Sequence, residues 1–228
     1  VSLATQVQFV QNIFLMAIAG AGSILGAQYW GKGDRNTLQS LLNLMLRYAL
    51  LLSLLFFCAC EFIPGILMKA FTGDPELIAI GSAYLRIAGW SYLLTAVSQS
   101  YLAVMKVTDH VKPCAWISSA AVIINILLNA VFIFGLLGAP RMQARGAALA
   151  TTLSRVIELG LCIAVSSGRD YIRPVWSALF RRDRQLSHDF ARQCFPLMGG
   201  SLLWGVGFTS YTAILGHMGV DAAAANSV

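Results

Sequence analysis

Charged residues are scarce in this sequence. Only 11% of its 228 residues are Asp, Glu, Lys or Arg, while 57% are hydrophobic, and the mean hydropathy is +0.70. Soluble domains carry about 25% charged residues, and a chain with less than half of that cannot cover a water-exposed surface with polar groups. We therefore expect a lipid bilayer as the solvent, in which only helices and closed barrels span.

The motifs of soluble enzymes are also missing. The sequence has no HExxH, no GxSxG and no Walker loop, so no catalytic residue is predicted. The five cysteines lie in or beside apolar runs, and no His or further Cys accompanies the pair Cys58 and Cys60. Buried thiols are therefore predicted, with neither a metal nor another cofactor.

Long apolar runs make up most of the chain. Each is long enough to span a bilayer as a helix, and none shows the alternation of a barrel strand. The runs lie at about 7–28, 39–63, 76–105, 114–138, 144–167 and 194–217. We predict an all-α membrane protein with six transmembrane helices.

The basic residues explain the net charge of +6. Ten Lys and Arg residues fall in the loops at 30–37, 106–113 and 168–193. The alternate loops hold only Lys69 and Arg141. Because basic loops stay in the cytoplasm, the first three loops are predicted to be cytoplasmic, and no nucleic-acid partner is needed to account for the charge.

The longest connection, residues 168–190, is the predicted boundary between two bundles. Its residues Trp176, Leu179 and Phe180 suit the apolar face of a short interfacial helix, and a solvated linker explains the segment equally well. The chain begins at Val1 without an initiator Met or a signal-peptide pattern. We expect it to be part of a longer protein.

Four of the predicted helices carry polar side chains at helical spacing, which lipid would disfavour. They are Thr5, Gln8 and Asn12; Ser91, Thr95, Ser98 and Gln99; Asn125 and Asn129; and Thr151, Arg155 and Glu158. Counted from the predicted helix ends, Asn129 and Thr151 lie at similar depth, which suits a shared hydrated cavity. Hydrogen bonds between helices are the alternative explanation.

Two charges lie deep in the predicted fifth helix. Arg155 near mid-bilayer requires a partner, and Glu158, one turn along, is the obvious one. The pair is as easily structural as functional.

An aromatic stripe follows on the last predicted helix. Trp204, Phe208 and Tyr211 recur at helical spacing beside Ser201. Such a face can attract organic cations, and plain helix packing is the alternative.

Several segments resemble the MATE (multidrug and toxic compound extrusion) family of transporters. They are GAGSILGAQYWGKGD (20–34), FTGDPELIAIGSAYLRI (71–87), NILLNAVFIFG (125–135) and RGAALATTLSR (145–155). The resemblance implies twelve helices in two lobes, of which this chain would hold helices two to seven. Residues 1–167 would belong to the amino-terminal lobe, 168–190 to the linker between the lobes, and 191–228 to the first helix of the second lobe.

The resemblance also implies a function. The chain would be part of an integral protein of the bacterial plasma membrane, a proton- or sodium-coupled antiporter that exports drugs or organic cations by alternating access. The ion-coupling residues would be Asn125, Asn129, Thr151, the Ala147 carbonyl and Gln99. The substrate cavity would be lined by Gln8, Asn12, Ser91, Thr95, Trp204, Phe208 and Tyr211.

Two other functions compete with export. A lipid-linked-oligosaccharide flippase of the same superfamily would line its cavity with several cationic residues, and here only Arg86 and Arg155 are deep. An intramembrane enzyme would require paired acids, a Ser/His couple or metal ligands at one depth, and the sequence has none of these.

Overall fold

The structure, a computed structural model, describes residues 2–69, 75–135, 142–168, 170–175 and 183–217, without the side chains of 2–3 and 208–217. Helices make up nearly all of these residues. In chain order they are α1 (Ser2–Gly31), α2 (Arg35–Phe62), α3 (Pro64–Lys69), α4 (Pro75–Val107), α5 (Val111–Phe134), α6 (Gln143–Ser166) and α7 (Arg184–His217).

The predicted membrane helices are present, with different ends. Within the described residues, α1, α2, α4, α5 and α6 are long and apolar enough to cross a membrane. The sixth predicted run lies inside α7, which begins at Arg184, within the predicted linker. Helix α2 ends at Phe62, one residue before the end of the second predicted run, because Pro64 has no backbone N–H to continue it. Pro64 instead begins the short α3, which lies beyond that run.

Local chemistry sets other helix ends. Asp34 caps α2: its carboxylate accepts bonds from the Thr37 N–H at 3.0 Å and the Thr37 hydroxyl at 2.6 Å. The hydroxyl bond, followed by the backbone bond, lowers the pKa of the Asp34 carboxyl. At the end of α5, Gly135 adopts the left-handed conformation with φ 73°, which terminates a helix at little steric cost to glycine.

Helix α4 lies at the centre of the bundle and packs against α1, α2, α3, α5 and α6, while α7 packs along α1. Small residues such as Ala88, Gly89 and Ala96 let neighbouring helices approach α4 closely. The outer surface is apolar instead: α5 exposes Trp116, Ile126 and other large hydrophobic side chains. Small residues inside the bundle and large apolar side chains on its surface are the arrangement that a lipid solvent requires.

The three basic loops meet at one end of the bundle, as their common assignment to the cytoplasm requires. The Trp30 indole donates to Asp109 at 2.9 Å, which joins the α1–α2 and α4–α5 loops. The segment after α6 is held against α2, because the Asn43 side chain exchanges two hydrogen bonds with the backbone of Val175. Gln39 adds a bond to the carbonyl of Arg173 at 2.8 Å.

The backbones of α5 and α6 approach each other closely at Gly146. A Cβ added at Gly146 would lie 2.7 Å from the carbonyl oxygen of Phe132, which also accepts the N–H of Met142 at 3.0 Å. Neither group can move without separating the two helices. We expect Gly146→Ala to lower the free energy of unfolding by about 1–3 kcal/mol, as overpacking does.

The matched control for that substitution is Gly160→Ala on the same helix, where nothing lies within 4 Å of the added atom. Alanine favours helices over glycine by about 1 kcal/mol, so this variant should be as stable as the unmodified protein or more so. Both can be measured by detergent-induced unfolding in mixed micelles. Equal destabilisation of the two variants would contradict the close contact.

Candidate ion and solute site

A cavity of about 350 Å³ opens between α1, α4, α5 and α6. Its lining is mostly polar, and we call it the polar cavity. The lining residues are Gln8, Gln99, Ser118, Ala121, Val122, Asn125, Thr151, Ser154, Arg155 and Glu158. Four residues that the sequence selected as candidates, Gln8, Gln99, Asn125 and Thr151, therefore lie on one cavity.

A chain of hydrogen bonds runs along the cavity wall. The Asn129 amide donates to Asn125 Oδ1 at 3.1 Å, and the Asn125 amide donates to Ser154 Oγ at 3.2 Å. The Ser154 hydroxyl then donates to the carbonyl of Thr151 at 2.8 Å. The two asparagines thus form the stripe predicted for one helix face, and they link α5 to α6.

The contacts between α5 and α6 give the relative depth of the candidates directly. Asn125 bonds to Ser154, and Phe132 lies against Gly146. Because the two helices are antiparallel, this register places Thr151 opposite the turn between Asn125 and Asn129, within about one turn of both. Helix α5 ends at Phe134, four residues before the predicted end, and Asn129 reaches the cavity residues through Asn125.

Arg155 and Glu158 form the predicted ion pair. Arg155 Nη1 lies 2.6 Å from Glu158 Oε2, with the arginine side chain 29% exposed and the glutamate 2%. Both lie near the middle of α6, where a charged residue costs about 2.5–3.5 kcal/mol on insertion scales. That cost is lower here, because the two charged groups face each other and the polar cavity rather than lipid.

Other predicted residues lie elsewhere. The hydroxyls of Ser91 and Thr95 donate to the carbonyls of Ala88 and Ser91 on their own helix, and both side chains are buried. Both side chains therefore lie in the packed interior of the bundle, and neither is among the residues that line the polar cavity. The Ala147 carbonyl accepts the Thr151 hydroxyl at 3.0 Å.

Two more candidates lie on or near α1. Asn12 lines a separate depression of about 290 Å³ that also includes Gln8. The Trp204 ring on α7 lies 6.2 Å from the Phe9 ring and is 62% exposed. The side chains of Phe208 and Tyr211, and the residues Trp176, Leu179 and Phe180 of the predicted interfacial helix, lie outside the described part of the chain.

Gln11 is a buried polar residue that sequence reasoning did not select. It is fully buried, and its amide donates to Ser53 Oγ at 2.8 Å and to the carbonyl of Tyr92 at 3.2 Å. The residue therefore connects α1 with α2 and α4. The sequence does indicate this residue, since Gln11 lies one turn beyond Val7 on an otherwise apolar face of the helix. The polar neighbours Gln8 and Asn12 made that single polar position hard to recognise.

Metal ligands do not cluster in the described ranges, where no group of three or more His, Cys, Asp or Glu residues could hold an ion. All five cysteines are free, and four of them are buried. The chemistry available at the polar cavity is therefore hydrogen bonding, coordination by neutral oxygens, and one ion pair.

The comparisons with known proteins agree on one family. The MatE family model matches residues 1–131. A probable multidrug resistance protein NorM from Bradyrhizobium diazoefficiens is 30% identical over 231 aligned residues, covering 100% of this chain and 49% of the relative. The chain thus spans about half the length of the curated relatives that it matches along its full extent.

Solved structures share the fold. A MATE protein in a bent conformation superimposes with a TM-score of 0.85 at 16% identity, covering 99% of this chain and 50% of that one. An inward-facing multidrug resistance MATE transporter gives a TM-score of 0.76 at 19% identity, covering 88% of this chain and 45% of that one.

Proposed function

Because this chain belongs to the MATE family of membrane transporters, we propose that it is part of a cation-coupled antiporter of the bacterial plasma membrane. The proposed solutes are drugs and cationic or amphipathic metabolites, exported by alternating access. Residues 1–167 form most of an amino-terminal lobe, 168–190 connect the lobes, and 191–228 begin the second lobe. The names and lengths of the matched relatives support this assignment.

The observation that carries the proposal is the hydrogen-bonded wall of the polar cavity. Asn125 and Asn129 provide two amide oxygens, and Thr151 provides a hydroxyl on the same cavity as Asn125. Neutral oxygens can coordinate sodium, or donate and accept bonds around a carboxyl group that takes up a proton. A buried amide costs less free energy than a second buried carboxylate. A site built with asparagines can therefore hold a single carboxyl group that gains and loses a proton.

Ion binding is coupled to solute export if the ion binds one arrangement of the two lobes more tightly than the other. A bound cation shifts that equilibrium only by the difference in its affinity for the two arrangements. The wall joins α5 to α6, so an ion held there acts on the packing of two helices at once. The solute can then respond to the lobe equilibrium without touching the ion.

The test uses a full-length protein that contains this chain, reconstituted in proteoliposomes. We expect export of a fluorescent organic cation when an inward gradient of protons or of sodium is imposed. No export should occur without a gradient, or after an ionophore has dissipated it. Equal export with and without both gradients would contradict coupling, and no export of any organic cation would contradict the assigned solute class.

A further inference from the structure

A second space in the bundle is almost entirely apolar, and we call it the apolar groove. It measures about 400 Å³, lies between α1, α2 and α7, and shares no lining residue with the polar cavity. Its walls include Phe14 and Ile18 of α1, Tyr48 and Leu52 of α2, and Phe190 and Met198 of α7. Ile18 and Phe190 are buried, whereas Phe195 at the rim is 71% exposed. The groove can therefore accept an apolar chain from outside the bundle, and it offers little to a polar solute.

The groove runs along the helices from the end of the bundle that carries the basic loops. Helices α2 and α7 both begin at that end, so Tyr48 and Phe190 lie nearer to it than Leu52 and Met198. Phe190 and Met198 are eight residues apart, which is about 12 Å along a helix. One leaflet of the hydrocarbon core is about 15 Å thick. The groove therefore has the direction and nearly the length of an acyl chain in the leaflet on that side.

A positive charge lies at the basic-loop end of the groove. The Arg47 guanidinium lies 5.1 Å from the centroid of the Tyr48 ring, which stacks on Phe190 at 5.8 Å. Arg47 lies 12 residues inside α2, and among the described residues no carboxylate pairs with it. A charged side chain within a membrane helix requires a partner. A phosphate group suits this one, because the planar guanidinium fork matches two phosphate oxygens.

The acids at the start of α7 are already engaged. Asp183 caps the helix and accepts a backbone N–H of the first turn at 3.0 Å, and Asp189 lies 3.6 Å from the neighbouring histidine. Arg184 and Arg192 add two positive charges to the first turns of the same helix. Basic pockets between membrane helices on the cytoplasmic side bind anionic lipid head groups. The charge at this end of the groove therefore complements an anionic head group.

We propose that the apolar groove binds one acyl chain of an anionic phospholipid from the leaflet on the basic-loop side, and that Arg47 holds its phosphate. This binding is separate from the polar cavity and does not depend on which solute the protein exports. The walls belong to α1 and α2 on one side and to α7 on the other. A bound lipid therefore stabilises the arrangement in which α7 lies against these two helices.

The first test locates the lipid on the unmodified full-length protein. The protein is reconstituted with a phosphatidylglycerol that carries a diazirine at the end of one acyl chain, and crosslinked residues are identified by peptide mass spectrometry. We expect stronger labelling at Leu52, Phe195 and Met198 than at Ile126, which is exposed on the outer surface of α5. Excess unlabelled phosphatidylglycerol should reduce labelling in the groove more than at Ile126. Groove labelling no stronger than at Ile126 would overturn the proposal, whether bulk lipid or another part of the full-length protein covers the groove.

The second test changes the charge at the end of the groove. Arg47→Gln should reduce groove labelling by limiting phosphatidylglycerol by about tenfold, the lower end of the factor that hydrogen bonds between charged groups supply. Arg47→Lys should keep part of the labelling, since lysine retains the charge but lacks the planar fork. The control is Arg86→Gln, which removes an exposed arginine from α4 away from the groove and should change nothing.

A phosphatidylcholine with the same diazirine chain separates the head group from the acyl chain. It should label the groove of the unmodified protein less than phosphatidylglycerol does, and Arg47→Gln should remove that difference. Groove labelling that Arg47→Gln leaves unchanged, or that Arg86→Gln lowers equally, would overturn the role of Arg47. If the Arg47 variants do not fold, the two lipids on the unmodified protein decide the proposal: a preference for phosphatidylglycerol in the groove supports it, and equal labelling overturns it.

Discussion

Glu158→Leu is expected to destabilise the protein by about 3 kcal/mol, the lower end of the range for breaking a buried ion pair. The substitution removes the carboxylate that accepts the hydrogen bond of Arg155, and it leaves the arginine charge near mid-membrane. The lower end applies because Arg155 is 29% exposed to the cavity and retains some hydration there. The free energy of unfolding can be measured on the full-length protein by detergent titration in mixed micelles.

The control removes both charges at once. The double variant with leucine at positions 155 and 158 should be about as stable as the unmodified protein or more stable, because apolar replacement of a whole buried pair is often neutral or favourable. A double variant as unstable as Glu158→Leu would show that leucine packs badly at position 158. The ion pair would then not be the cause of the loss.

Features set by neighbouring residues on one helix could be predicted from the sequence. The Arg155–Glu158 pair and the Asn125–Asn129 bond connect residues three and four positions apart, which share a helix face whatever the rest of the fold. The apolar runs located the membrane helices for a similar reason. In lipid a helix satisfies its own backbone groups, so length and composition suffice.

Features that depend on contacts between helices were harder to predict from the sequence. Ser91 and Thr95 share the polar spacing of the cavity residues, yet α4 lies at the centre of the bundle and its hydroxyls bond to their own backbone. Burial of Gln11 against Ser53 likewise depends on how α1 meets α2 and α4. No spacing along a single helix contains that information.

Helix ends were the third source of error. The apolar run that forms α5 continues past Phe134, but Gly135 ends the helix there, roughly one turn before the predicted end at about residue 138. A depth counted from helix ends is therefore uncertain by a turn. The choice of which asparagine to test first depends instead on the cavity lining, which includes Asn125.

Asn125→Leu is expected to reduce gradient-driven export by at least about tenfold, since bonds between a charged group and an amide contribute about 1.5–3 kcal/mol. Asn125 accepts from Asn129 and donates to Ser154, so the substitution breaks the wall of the polar cavity in two places. Expression and membrane insertion should persist, because leucine is favourable in a membrane helix. Asn129→Leu should reduce export less, because Asn129 is not among the lining residues.

The measurement is export from proteoliposomes under imposed proton and sodium gradients, at equal amounts of the full-length protein. Ile126→Leu is the matched control, since it changes the next residue of α5, which is 61% exposed on the outer surface. Binding of the organic cation at equilibrium should fall much less than export in Asn125→Leu, because the ion site acts on the lobe equilibrium and not on the solute.

Thr151→Val should reduce export mildly by removing one oxygen. Asn129→Asp adds a group that titrates, and should shift the pH or sodium dependence of export rather than abolish it. Unchanged export by Asn125→Leu under both gradients would make the asparagine a packing contact, and the coupling ion would have to bind elsewhere.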